Sequence, residues 1–224
     1  MRRAVVPAVV GVGALAVARK MLRNLGATRG ERWASLPGDE VVPQARGSST
    51  MAITIDAPPS AVWPWLVQMG CDRAGFYSWD RLDNGGRPSA TEIHPEWQTL
   101  GVGDRIVCTP DAKAWFDVER FEPERALVLR SSIDVLRRTP FDPSGPRPRF
   151  FVEGVWTFVL HELPEEKTRL VVRSFGIARP RLLFGAANLV FWDPAHVVMQ
   201  TRQLRNLKRL VESPLREPVL VAAA

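Results

Sequence analysis

The chain is expected to fold as an α+β domain in which a curved antiparallel β-sheet wraps around one long C-terminal helix. Three observations carry this. Short segments between Met51 and Ile177 alternate apolar and polar residues, with turn sequences between them. The segments are too close together for crossovers, so neighbours should run antiparallel. A single long amphipathic pattern, from about Asp193 to Glu212, then closes the chain. It is the only element long enough to cover the sheet's apolar face. A bent sheet gripping one helix leaves room for a hydrophobic cavity between them.

The 224 residues are 46% apolar and 24% charged, an ordinary globular balance with enough chain for a sizeable core. Wholesale disorder, collagen and a coiled-coil rod are excluded, and two cysteines exclude a disulfide scaffold. The net charge of +6 is local. Residues 1–47 hold eight basic residues against three acids, while the rest of the chain holds 22 against 21. The body therefore lacks the basic footprint of a nucleic-acid binder, and no nucleic-acid partner is expected.

Residues 1–25 form an apolar segment flanked by basic residues. Ala4 to Ala18 run without a charge between Arg2-Arg3 and Arg19-Lys20. Fifteen helical residues span roughly 22 Å at 1.5 Å each, short of a hydrocarbon core of roughly 30 Å. Two readings stand: a tail on a membrane surface, at its cytoplasmic face, or an apolar helix docked on protein. The basic cluster after the run opposes a cleaved signal, although Ala14-x-Ala16 has the small residues of a cleavage site.

Residues 26–49 read as an irregular arm and residues 50–213 as the main domain, with 214–224 a tail. Met51, Ile53 and Ile55 mark a half-buried strand. Pro58-Pro59-Ser60 starts a helix that ends at Gly70 and is disturbed by Pro64. Phe76, Trp79 and Leu82 have the spacing of one short helical face. Strands follow in DRIVCT, KAWFDVERF, ALVLRSSI, GVWTFVLHEL and TRLVVRSFGI, with a proline-rich loop over roughly 137–153. Asp193 is a plausible N-cap for the last helix, with Pro194 at its first position, and Pro214 stops it.

Several stretches carry a family resemblance: ITIDAPPSAVWPWLVQMGCDRAGFYSWDRLDN, HPEWQTLGVGDRI, FEPERALVLRS and PAHVVMQTRQLRNLKRL, preceded by the arm GATRGERWASLPGDEVVP. Over roughly residues 26–212 the chain resembles the helix-grip proteins of the START/Bet v1-like (SRPBCC) superfamily. More narrowly, it looks like a bacterial subfamily grouped with polyketide cyclase/dehydrase-like proteins. That subfamily often has glutamine where Cys71 stands. The resemblance implies the helix-grip fold and a cavity for a hydrophobic molecule. Lipid carriers, hormone receptors, cyclases and stress proteins share the scaffold, so it does not imply one activity.

Strand alternation turns Trp156 and Phe158 inward, together with Phe116, Val118 and Leu129. With Trp192, His196 and Met199 these are expected to line the cavity, unless they fill a solid core. Phe76, Trp79 and Trp97, on the irregular stretch before the second strand, either stack on a ligand at the mouth or pack as a lid. Cys108 shares the inward face and is expected to be inert, with both cysteines free. His196 is a candidate acid/base or a structural imidazole. Glu153, just before an inward strand, is a second candidate. Asp80 and Asp83 read as solvated.

Three scattered histidines make no metal site, and neither a phosphate loop nor a G-x-S-x-G elbow is present, so no cofactor is expected. Three functions remain in order: binding or transport of a small hydrophobic ligand, a cyclase/dehydratase-type enzyme in the same cavity, and a non-catalytic interaction or stress protein with a filled core.

Overall fold

The computed structural model describes residues 17–45 and 47–213. Its centre is an antiparallel sheet in the order β1-β7-β6-β4-β3-β2. The strands are β1 (Ser48–Ile55), β2 (Arg105–Val107), β3 (Trp115–Glu122), β4 (Ala126–Asp134), β6 (Phe151–Leu163) and β7 (Lys167–Arg179). A two-residue β5 (Thr139–Pro140) pairs with β4 off this path. The expected proline-rich loop is therefore shorter than its sequence suggests, because β5 interrupts it and β6 begins at Phe151.

One face of the sheet is concave and carries Leu127, Leu129, Phe158, Leu160, Leu170 and Val172, all buried. Two helices cover it. The first, α2 (Pro59–Val67), buries Val62, Trp63, Trp65, Leu66 and Val67. The last, α5 (Asp193–Glu212), buries Gln200, Gln203, Leu204 and Leu207. A long C-terminal helix held in a bent antiparallel sheet is the helix-grip arrangement.

The opposite face is covered as well. Its outward residues include Val128, Val155, Val159 and Val171, which water would solvate poorly. The arm before β1 lies across them: Leu36 packs with Ala52, Val159 and Val171, and Val42 packs with Val128 and Val155. Arg173 rises from β7 into this layer and is buried. It donates to Glu31 O at 2.8 Å, Ala34 O at 2.9 Å, Asp39 Oδ2 at 2.6 Å and Thr50 Oγ1 at 3.1 Å. The arm also holds a short helix, α1 (Arg29–Trp33), closed by a reciprocal Thr28–Glu31 capping box. At Gly38, with φ +96°, a Cβ would lie 2.7 Å from the Val128 and Thr157 side chains, so only glycine lets the arm approach this closely. The irregular arm of the sequence reading is thus a third packed layer.

Two local expectations are corrected. Asp193 is the first residue of α5 but not its N-cap, because the residues before it are already helical. The helix runs on from α4 (Arg181–Ala187) through a π-turn, Asn188–Trp192. The wider turn falls just before Pro194, which has no N–H to continue the α-helical ladder. Asp193 is free to accept from the Arg19 guanidinium instead. Phe76, Trp79 and Leu82 do not share a face, because the short helix α3 (Asp80–Asp83) begins after the first two of them. Tyr77 takes φ +57° in the turn before it, so Phe76 points into the core while Leu82 is 73% exposed.

Candidate ligand-binding cavity

The concave face is solid at one end and hollow at the other, and residue size decides which. Around Phe158 the register brings Leu127, Phe158 and Val172 side by side. Four residues further along, Ser131, Gly154 and Gly176 occupy the same three strands, with Ser174 beside them. The small residues leave a space of about 570 Å³ beneath the first half of α5. At Gly154 a Cβ would meet only Phe175 O, at 3.8 Å, so the space above it is open. Gly176 differs: a Cβ there would lie 2.3 Å from Glu153 O, and the close approach of β6 and β7 excludes any side chain.

One wall is aromatic. Phe116 lies 5.7 Å from Trp156 and 6.3 Å from Phe76, and Phe76 lies 6.1 Å from Trp156, as ring centroids. The facing helix supplies a polar line. Trp156 Nε1 donates to Gln200 Oε1 at 3.0 Å, Gln200 Nε2 to Gln203 Oε1 at 2.7 Å, and Gln203 Nε2 to Phe76 O at 3.0 Å. Each buried amide accepts one of these bonds and donates the next within the wall, which fixes both glutamine orientations. Leu82 and Trp192, both exposed, mark the rim where the cavity meets solvent.

Three titratable groups line the space. The His196 imidazole presents Nε2 to Ser174 Oγ at 2.8 Å. Burial lowers its pKa below the ordinary imidazole value, nearby Arg23 adds to this and Asp193 opposes it, so the ring is neutral at pH 7. Asp83 sits at the rim with carboxylate oxygens shut off from solvent and without a hydrogen-bond partner in good geometry. Burial pushes its pKa up to about 6, with its own backbone N–H opposing the rise, Asp80 adding to it, and Trp79 and Ser78 opposing it further. The Cys108 thiol, also on the wall, is pushed up to about 12 by burial, which makes it a poor nucleophile. Both cysteines are free.

Of the residues expected at the site, Phe76, Phe116, Trp156, Trp192, His196 and Met199 line this space. Five do not. Val118, Leu129 and Phe158 lie on the correct face but are packed into the core cluster, Val118 and Leu129 in the same cross-strand row as Trp156. Trp79 turns outward, with the Arg202 guanidinium 4.0 Å above its ring. Trp97 stacks on His94 at 4.2 Å, behind the wall.

Glu153 is corrected outright. It lies on the outward face, fully buried, paired with Arg130 and, at 3.1 Å, with Arg147. A carboxylate held by two guanidinium groups across the sheet from the cavity cannot serve as its acid or base. Asp83 is not a solvated side chain. Gly154, Ser174 and Gln200 belong to the site although sequence reading did not select them. The run of small residues at 131, 154, 174 and 176 on neighbouring strands was the available signal.

No protein-family model matches the chain, and no curated protein matches it. Solved structures similar to it include protein MLL2253 from Mesorhizobium loti, with 19% identity over 72% of this chain and 96% of that one, TM-score 0.37. Another is DynU16, a protein in the dynemicin biosynthetic locus, with 16% identity over 73% of this chain but only 48% of that one, TM-score 0.42. CalU16 from Micromonospora echinospora shares 15% identity over 75% of this chain and 90% of that one, TM-score 0.35. These likenesses concern the fold alone, and the helix-grip assignment rests on the strand order and the long last helix.

Proposed function

We propose that the protein binds a small hydrophobic molecule, lipid-like or polyketide-like, in the cavity between β4, β6, β7 and α5. The observation that carries this is the hollow itself: about 570 Å³ kept open by serine and glycine, walled by three aromatic rings and one fixed polar line. Pockets of that size and lining suit a ligand held by apolar burial and oriented by a few polar groups. The sequence stretches that resemble polyketide cyclase/dehydrase-like SRPBCC proteins favour the same reading. Native mass spectrometry of the protein from its own host, followed by denaturing extraction, tests it. A stoichiometric hydrophobic compound is expected. An empty protein that also fails to bind fluorescent fatty acids and flat aromatics would refute it.

One observation favours a second reading, a cyclase/dehydratase-type enzyme in the same cavity. His196 faces the space as a neutral base with Ser174 at 2.8 Å, and Asp83, with its raised pKa, stands at the rim as an acid. Such a pair can take a proton from one carbon and return one to a leaving oxygen. Under this reading His196→Gln abolishes turnover of the extracted compound while leaving its binding within a few fold. Equal loss of both would make the imidazole a binding group only.

A further inference from the structure

We infer that the face formed by residues 17–25 and the α4–π-turn segment docks on an anionic lipid bilayer, at the mouth of the cavity. Large exposed apolar side chains are concentrated there. Leu182, Leu183, Val190 and Phe191 are 92%, 60%, 78% and 63% exposed, and Trp192 joins this surface to the cavity rim. Val17, Met21 and Leu22 add to it from the N-terminal side, at 56%, 67% and 48%. The bond from Arg19 to Asp193 ties the two stretches together. Large apolar side chains left to solvent in such numbers mark an interaction site.

Charge selects the occupant. Residues 1–30 contain no acid, and neither does the stretch from Arg173 to Trp192. Beside the apolar face lies a groove of about 1010 Å³ lined by Arg19, Lys20, Arg23, Arg29 and Arg32. Its one carboxylate, Asp39, is held by Arg173. Lys20 and Arg29 are exposed and have no ion-pair partner among the described residues. An apolar shelf bordered by unopposed cations matches a surface of acyl chains under anionic headgroups. In sequence, the uncharged run from Ala4 to Ala18 immediately precedes Arg19 and Lys20. The continuous helix from Arg181 to Glu212 is long and apolar enough in one window to cross a membrane. Its second half is committed to the sheet through Gln200, Gln203, Leu204 and Leu207, so the exposed half lies on the surface instead.

The inference rests on the binding reading only for what passes through the mouth, and the test separates the two. The full chain is sedimented with vesicles of phosphatidylcholine, with and without phosphatidylglycerol. Strong, salt-sensitive binding to the mixed vesicles is expected. Leu183→Asp with Val190→Asp should weaken it at least about tenfold, and Lys20→Glu with Arg29→Glu should weaken it and flatten the salt dependence. All four positions are solvent-exposed, so unfolding midpoints should not move, and Val190→Ser provides a milder variant. Filling the cavity with Gly154→Leu should leave sedimentation unchanged.

Four results would overturn the inference. One is equal binding to phosphatidylcholine alone. Another is loss confined to aspartates placed at Val9 and Val10. A third is binding that appears only when those aspartates are present, meaning the chain's own first residues cover the face. The last is a dimer that dissociates in Leu183→Asp with Val190→Asp, from a chain that ignores every vesicle.

Discussion

Replacing Gly154 with leucine should push stability and affinity in opposite directions. In a strand interior, glycine costs roughly 0.5–1 kcal/mol relative to alanine through backbone entropy. The new side chain enters open space, since its Cβ meets only Phe175 O at 3.8 Å. Partial burial of leucine against Trp156 and Met199 adds part of the roughly 1.5–3 kcal/mol available to a fully buried side chain. A net gain of about 1–2 kcal/mol is expected by urea unfolding. The same four carbons displace ligand from the floor. At about 0.8 kcal/mol per buried methylene this removes about 3 kcal/mol of binding, or roughly 100-fold in Kd. Titration with a fluorescent fatty acid reads that loss directly. An unchanged Kd would mean that the ligand does not use this space. A variant destabilised by more than about 2 kcal/mol would mean that the space is already filled.

Gly176→Ala, one strand over, should be destabilising by about 2 kcal/mol or more in the same assay, because its Cβ would lie 2.3 Å from Glu153 O and backbone cannot yield cheaply. Arg173→Met should cost about 3 kcal/mol, since it strips three hydrogen bonds from the arm and one from Thr50 of β1, and leaves Asp39 without its cation. Limited proteolysis should then cut between Ala34 and Ala45 in the variant and spare the parent. Asp83 keeps its proton up to about pH 6 in the folded chain, but only to about pH 4 when unfolded. Folding therefore takes up a proton between these values, and stability falls as pH rises through that window. Asp83→Asn should remove the fall. Discounted for solvent screening, the variant gains about 1 kcal/mol at about pH 8 and nothing below about pH 4, which urea unfolding at the two pH values measures.

Strand alternation made the inward face of the sheet legible before any coordinates. Trp156 and Phe116 follow from period two, and the last helix from Asp193 to Glu212 from period 3.6. Alternation names a face but not a position along it. Val118, Leu129 and Phe158 therefore read the same as Trp156, although they are packed into the core cluster while Trp156 borders the hollow. What separates the two ends is side-chain volume summed over three strands, which depends on a register that sequence alone leaves open. Glu153 misled for a related reason: as the residue before the inward run it looked adjacent to the cavity, yet its parity places it on the outer face with Arg130. The arm was missed because its layer is specified by its partners. Val128, Val155, Val159 and Val171 demand a cover, and Leu36 and Val42 are too sparse to announce themselves as one. The helix before Asp193 was hidden by Pro194, which ordinarily marks a start and here follows a π-turn.

The third layer also sets an order of events during synthesis. Asp39 and Arg173 are 134 residues apart, and among the described residues β1 pairs with β7 alone, from Ser48 opposite Phe175 to Ile55 opposite Thr168. At roughly 5–20 residues per second a ribosome needs about 7–27 s to cover that gap. For this interval the arm and first strand have emerged with no surface to pack on, while β3 and β4 can already form a local hairpin. Closure of both edges of the structure, the arm across the outer face and β1 along β7, must wait for the last strand. The domain therefore completes its fold late, from the C-terminal half back onto the N-terminal one, and a pause or truncation before β7 leaves an apolar arm and an open strand exposed together.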